Sequence, residues 1–352
     1  MTRRAMLASA LPLGLAAVTI PSKRAKQLPR VGEFVRFADP TTETTVVRLT
    51  ALSSSNLFPS PENRFVSAKE RFLVFSSNRA GAFAPFRLDL RTGLVRQLAE
   101  TRGLQPRSLC LDEGERSVFL LDSGELKEVS LLSRGTRTVA KDVTGFALGR
   151  GTSDLLLVRQ ERLEDAAGNV IATDVSGACL LRPGGRGCLF ERRVSDGAEF
   201  WYVATGGSAK KPSLLAKGRV SFPFWSPGGD SVLFLRGVPH GDVTLSEIHE
   251  VTIQDGSERS VSPTSQFAAF SPNRDASVFV GSSRSKAQPN VVLLLRSAKR
   301  EMTLCEHHAS DAASVGPVFA PDSRRVYFES DREGKPALYS VNVELLVEPT
   351  QL

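Results

Sequence analysis

Imidazole and thiol groups are scarce in this chain of 352 residues, which holds four histidines and four cysteines. Cys110, Cys179, Cys188 and Cys305 show none of the CxxC or Cys/His spacings that hold zinc, so a structural-zinc scaffold is excluded. Two readings of Cys179 and Cys188 stay open: buried free thiols, or a bridge if the chain is exported. No apolar run reaches the ~20 residues that a bilayer-spanning helix needs. No glycine-rich phosphate loop opens a helix, and no Ser-His-Asp or Cys-His catalytic motif is present. Acidic residues are missing from residues 1–30, which carry Arg3, Arg4, Lys23, Arg24, Lys26 and Arg30. Of the net charge of +7, about +1 is therefore left for residues 31–352. A near-neutral body offers no general footprint for a phosphate backbone, which argues against a nucleic-acid partner.

The N-terminus reads as an address. A basic head precedes an apolar run over 5–20 that Pro12 and Gly14 interrupt, and a second basic patch follows. That layout predicts an export signal over 1–30, with "GLAA" at 14–17 as the best cleavage candidate and a short uncleaved anchor as the alternative. Thr2-Arg3-Arg4-Ala5-Met6-Leu7 resembles the twin-arginine export motif, with Met6 where Phe or Leu is usual. The expected location is periplasmic or secreted. The signal would contact the export machinery, and the mature protein would not span a membrane.

What the chain has in abundance is one repeated phrase. "SPGGDSVLFLR" at 226–236 returns as "SPNRDASVFVG" at 271–281 and "APDSRRVYFES" at 320–330. Each is a Pro- and Asp-containing turn feeding a strand of β-branched and aromatic residues. The strand recurs with ends at Phe75, Leu120, Leu157, Phe190, Phe234, Val280 and Phe328, in steps of 33 to 48 residues. Several short strands per period of that length predict an all-β protein, a seven-bladed β-propeller of four-stranded antiparallel blades over 31–352. In "RFLVFSSNRAGAFAPFRLDLRTGLVRQLAE" at 71–100, glycine-containing turns separate second, third and outer strands. The last repeat stops one strand short. "TTVVRLT" at 44–50 has the pattern of an outer strand and no partner of its own, so it is expected to complete blade seven and close the ring.

"FSSNRAGAFAPFRLDLRTGLVRQL" and "FAPDSRRVYFESDREGKPALYSVNV" resemble the repeats of TolB-type periplasmic propellers. The order of "RLT", "NLFPSPENRFV" and "LCEHHAS" is similar to that of the oligogalacturonate lyase propellers, over roughly 34–345. The resemblance implies a lyase that removes the proton beside a uronate carboxylate, with manganese or another divalent metal held on His and Gln side chains in the ring's centre. That chemistry needs a cation to stabilise the developing charge and a base within reach of the proton. The positions aligned with the family's ligands are Phe222, Asp311, Ser314 and Gly316, of which only Asp311 carries a metal-binding group. No catalytic residue is assigned and no metal or other cofactor is expected unless the lyase reading holds. Arg192 and Arg193 are candidates for clamping a carboxylated sugar, with a solvated hairpin as the alternative. His307 and His308 are candidates for facing the channel, with a solvated loop as the alternative. Arg79 and Arg332 sit in repeated turns that suggest blade structure, and Asp242, His249 and Glu250 have no catalytic spacing. The expected function is a funnel that binds a uronate-containing oligosaccharide or a protein partner, with an active lyase as the alternative.

Overall fold

The repeated apolar strand is the second of each blade, and its neighbours explain its composition. Phe72–Phe75, Ser117–Asp122 and Val278–Ser283 are buried at every position, because a blade is covered on both faces by the blades beside it. A strand with two covered faces reads as a continuous apolar run rather than an alternation. The computed structural model describes residues 32–149, 154–205, 211–344 and 346. The expected export signal over 1–30 lies outside them. Among the described residues no helix is long and apolar enough to cross a membrane.

Among the described residues the strands form seven antiparallel sheets, six with four strands and one with five. Blades one to six each use consecutive strands, with inner strands Asn56–Leu57, Cys110–Leu111, Gly145–Leu148, Cys179–Leu181, Val220–Trp225 and Phe267–Pro272. Blade seven contains Val318–Phe319, Arg325–Ser330 and Ala337–Asn342, and the N-terminal strand Thr45–Arg48 pairs with the last of these. The register is Val46 opposite Val341, Val47 opposite Ser340 and Arg48 opposite Tyr339. The expected closure is therefore present. A fifth strand that the repeat pattern does not predict, Val35–Ala38, pairs outside Thr45–Arg48. It is short and mostly exposed, so no apolar pattern announces it. Buried Asp39 then ties the hairpin to blade six by accepting from Thr41 N, Thr42 N and Glu306 N at 3.2, 3.1 and 2.9 Å.

The core is a ring of layers between blades. Val278, Val280, Val291 and Leu293 of blade six pack with Phe328, Tyr339 and Val341 of blade seven, and Val46 joins the same layer. Removing that strand would uncover apolar surface as well as a sheet edge. The repeated arginines at second-strand ends serve these seams. Arg79 reaches Glu33 Oε1 at 2.6 Å and Asn56 Oδ1 at 3.0 Å, while Arg332 donates to the Glu306 carbonyl at 3.1 Å.

Candidate functional site: a divided central channel

Blade one has an inner strand of only two residues, and proline explains it. Pro59 and Pro61 have no N–H to give a sheet ladder, so the chain leaves the sheet after Leu57. Residues Phe58–Arg64 instead pass into the centre of the ring. An ion pair anchors the loop: Arg107, which precedes blade two, bonds Glu329 of blade seven through both terminal nitrogens, one of them at 3.0 Å. The same arginine donates to the Phe58 carbonyl at 3.0 Å, and Phe58 N donates to Glu329 Oε1 at 2.6 Å. Ser60 N bonds the Arg107 carbonyl at 2.9 Å, and Leu111 N bonds the Arg64 carbonyl at 2.7 Å. Burial raises the Glu329 carboxyl, and Arg107 and the Phe58 amide oppose that rise.

Among the described residues, two cavities that follow one another along the inner strands meet at this loop. One, of about 450 Å³, is lined by Glu62, Asn63, Gln105, Ser108, Thr144 and Cys179, among others. The other, of about 360 Å³, adds Arg64, Leu148, Phe224 and Trp225 and shares Glu62, Asn63 and Cys179. Glu62 is exposed to the solvent of the channel while the ring surrounds it. Enclosure pushes its carboxyl above the ordinary range, and the like charge of Glu191 adds to this against Arg107. Trp225 is fixed by donating from Nε1 to the Leu180 carbonyl at 3.2 Å and by edge contact with Tyr202 at 6.1 Å between centroids. This set can hold a polar ligand by hydrogen bonds around an aromatic wall. No local motif marks Glu62 and Asn63. Their signal was the pair of prolines that breaks an inner strand just ahead of them.

The residues singled out in the sequence fall elsewhere. Phe222 lies at a bulge in the inner strand of blade five with φ of 53°, a left-handed backbone rare for a bulky residue. Its ring packs against the blade-five and blade-six core. Asp311 caps the short 3-10 helix Ala312–Val315 by accepting from Ala313 N at 3.0 Å, and Ser314 Oγ donates to the Asp311 carbonyl at 2.7 Å. Gly316 ends that turn with φ of 44°, beside Pro61 of the channel loop. Among the described residues no group of three or more His, Cys, Asp or Glu side chains is placed to hold a metal ion. Of these four positions Asp311 alone carries a metal-binding side chain, and it is engaged in capping this turn.

Arg192 and Arg193 stand on opposite faces of strand Cys188–Val194, as neighbours in a strand must. Arg192 lies over Trp201 at 4.5 Å and donates to the Thr173 carbonyl at 2.8 Å, whereas Arg193 turns to Glu191 at 3.6 Å. The two are thus not brought together as one clamp. His307 is buried, with Nε2 2.9 Å from the Ser283 carbonyl and Nδ1 accepting from Ala309 N at 3.0 Å. Burial is the main cause holding its pKa below the usual imidazole range. His308 is half exposed and bonds Glu306 at 2.6 Å. Cys179 and Cys188 are free thiols with sulfurs 3.2 Å apart.

Comparison with known proteins agrees with this architecture. No protein-family model matches the chain. An oligogalacturonide lyase of Pectobacterium atrosepticum is 24% identical over 170 residues, which cover 42% of this chain and 43% of the relative. The chain thus spans less than half the length of that relative. Two solved structures share the fold more completely. An oligogalacturonate lyase in complex with manganese superposes with a TM-score of 0.78 over 89% of this chain and 96% of its own, at 19% identity. An oligogalacturonate lyase from Vibrio parahaemolyticus gives 0.78 over 89% and 97%, also at 19% identity. The chain is a seven-bladed β-propeller with the fold of the oligogalacturonate lyases.

Proposed function

We propose that the divided channel binds a uronate-containing oligosaccharide and holds it without metal-assisted cleavage. The observation that carries this reading is the Phe58–Arg64 loop, which places Glu62 and Asn63 in both cavities. The Glu62 carboxyl offers a hydrogen-bond partner for a sugar hydroxyl, Asn63 both donates and accepts, Arg64 supplies positive charge for a carboxylate, and Trp225 offers a ring face. Cavities of about 450 and 360 Å³ match units of one or two sugar rings on either side of the loop. The test is calorimetry with digalacturonate, run beside an absorbance assay with manganese present. Binding without the ultraviolet absorbance of an unsaturated product is expected. Absence of binding overturns the reading.

The names of the structural neighbours favour a second reading, an active lyase. Turnover that a chelator abolishes, together with stoichiometric manganese in the purified protein, establishes it in place of the first. Export belongs to the same proposal and rests on the Arg3-Arg4 pair. Lys-Lys at those positions is expected to leave the protein in the cytoplasm, and unchanged export returns the segment to an ordinary signal or anchor.

A further inference from the structure

Blades two and five repeat one polar device. In blade two, Glu128 stands opposite Arg137 across the third and outer strands, and the pair closes to 2.5 Å. Ser117, at the start of the second strand, donates to the other Glu128 oxygen at 2.7 Å. Blade five has the same arrangement. Glu250 stands opposite Arg259 at 2.6 Å and accepts from Ser231 at 2.7 Å, and Arg296 of blade six adds a contact at 2.7 Å. Burial raises the Glu250 carboxyl, but Ser231, Arg259 and Arg296 outweigh it and hold the group below its ordinary pKa.

At the same register blade one has Phe72, Arg87 and Arg96. Arg87 is directly opposite Arg96, and its guanidinium lies 4.0 Å from the centre of the Phe72 ring. Like charges opposed across strands are unfavourable, and among the described residues neither arginine has a carboxylate within 4.0 Å. Burial depresses the Arg87 pKa first, and the nearby charges of Arg96 and Arg71 add to it while Asp89 opposes. The acids around this groove have other work. Glu70 meets Arg325 and Tyr327, Glu115 meets Ala68 N and Arg71, and Asp89 caps its own turn through Arg91 N and Thr92. On the blade-two side, Leu131 takes the place that Arg296 has in the blade-six turn. The result is a groove of about 990 Å³ that contains Arg71, Arg87, Arg91 and Arg116, with Leu132 93% exposed at its rim.

From this juxtaposition we infer that the groove between blades one and two is a binding site for a small molecule carrying two or more carboxylates. One carboxylate meets Arg87 on the wall of the groove, where blades two and five have a glutamate in its place, and Arg96, opposite Arg87 but outside the groove's lining, adds positive charge. Where the sister blades have an ion pair, blade one opposes two cations, and the remaining arginines and the groove's volume accommodate the rest of such a ligand. The site lies outside the channel and does not depend on the reading of it.

The probe is citrate, added to the full chain and compared with phosphate and with sodium chloride at matched ionic strength. Citrate is expected to raise the thermal midpoint saturably, as a ligand that binds only the folded state does. Chloride is expected to do nothing. Arg87→Glu restores the sister-blade pair with Arg96, so the citrate effect should vanish and calorimetric affinity should fall at least ten-fold. Arg87→Gln keeps a side chain over Phe72 without the charge and should lose the same affinity, which covers a failure of the first variant to fold. No citrate effect, or an equal one in either variant, overturns the site. An equal response to phosphate overturns the assignment to carboxylates.

Discussion

The seam that closes the ring is rich in charged contacts, whereas the seam between blades five and six is centred on aromatic rings. At the closing seam, residues far apart in sequence meet as charges. Arg107 joins Glu329, Arg325 and Tyr327 meet Glu70, and Arg48 joins Glu333. Between blades five and six the centre is aromatic. Phe224 and Phe270 meet edge to face at 5.4 Å, and Phe270 lies 6.0 Å from Phe279. Both seams are packed, and Arg296 of blade six also reaches Glu250 of blade five, but several charged contacts gather where the two ends of the chain join, and directional charged hydrogen bonds supply recognition there.

Cutting the closing seam has the largest expected effect. Deletion of residues 1–52 removes Thr45–Arg48 from blade seven and uncovers the Val46 layer, so cooperative unfolding should be lost. Deletion of 1–30 spares those contacts and should leave the melting curve of the propeller in place. Equal midpoints for the two truncations, measured by circular dichroism, would show that Thr45–Arg48 does not stabilise the ring.

The aromatic seam comes next. Phe270 is 1% exposed between Phe224 and Phe279, so Phe270→Ala should cost about 3–5 kcal/mol in urea unfolding, independent of pH. A smaller effect is expected from Arg107→Ala. Its side chain is 42% exposed, so solvent screens the pair with Glu329, and about 1–3 kcal/mol is expected rather than the larger cost of a buried pair. That variant should also weaken digalacturonate binding, because the channel loop loses its anchor. If Arg107→Ala is costlier than Phe270→Ala, the contrast between the seams is reversed.

The fold was readable in the sequence because each blade restates its second strand. "VLF", "VFV" and "VYF" carry enough apolar surface to set both the count and the spacing. The unpaired "TTVVRLT" was legible for the opposite reason, as a strand with nowhere else to go. The channel was harder to read. Glu62 gains its character from Glu191, 129 residues away, and from enclosure by other blades, neither of which leaves a local motif. Arg192 and Arg193 looked like a pair because they are adjacent in sequence, but adjacency in a strand separates side chains. The Arg87–Arg96 opposition needed the register of two strands, which alternating residues alone do not supply.

The smallest effect separates the seams by pH. At the closing seam, burial first and then the hydrogen bond and charge of Asp322 raise the Glu70 carboxyl to about 7, against Arg325 and Tyr327. Below pH about 4.5 this carboxyl is protonated in folded and unfolded chains alike and contributes no pH dependence. Between about 4.5 and 7 the unfolded chain has released the proton that the folded chain still holds, so stability falls as pH rises through this window. Asp322 does not cancel this trend: the Glu70 bond and nearby arginines outweigh its burial, and its contribution is lost only on the acid side of that window. Glu70→Gln imitates the protonated form and keeps a donor for Asp322. It should therefore match the parent protein at pH 4 and exceed it at pH 8 by about 1–2 kcal/mol in urea unfolding. An unchanged pH slope would show that Glu70 ionises freely and that its ion pair with Arg325, at 3.3 Å, governs the group instead of burial.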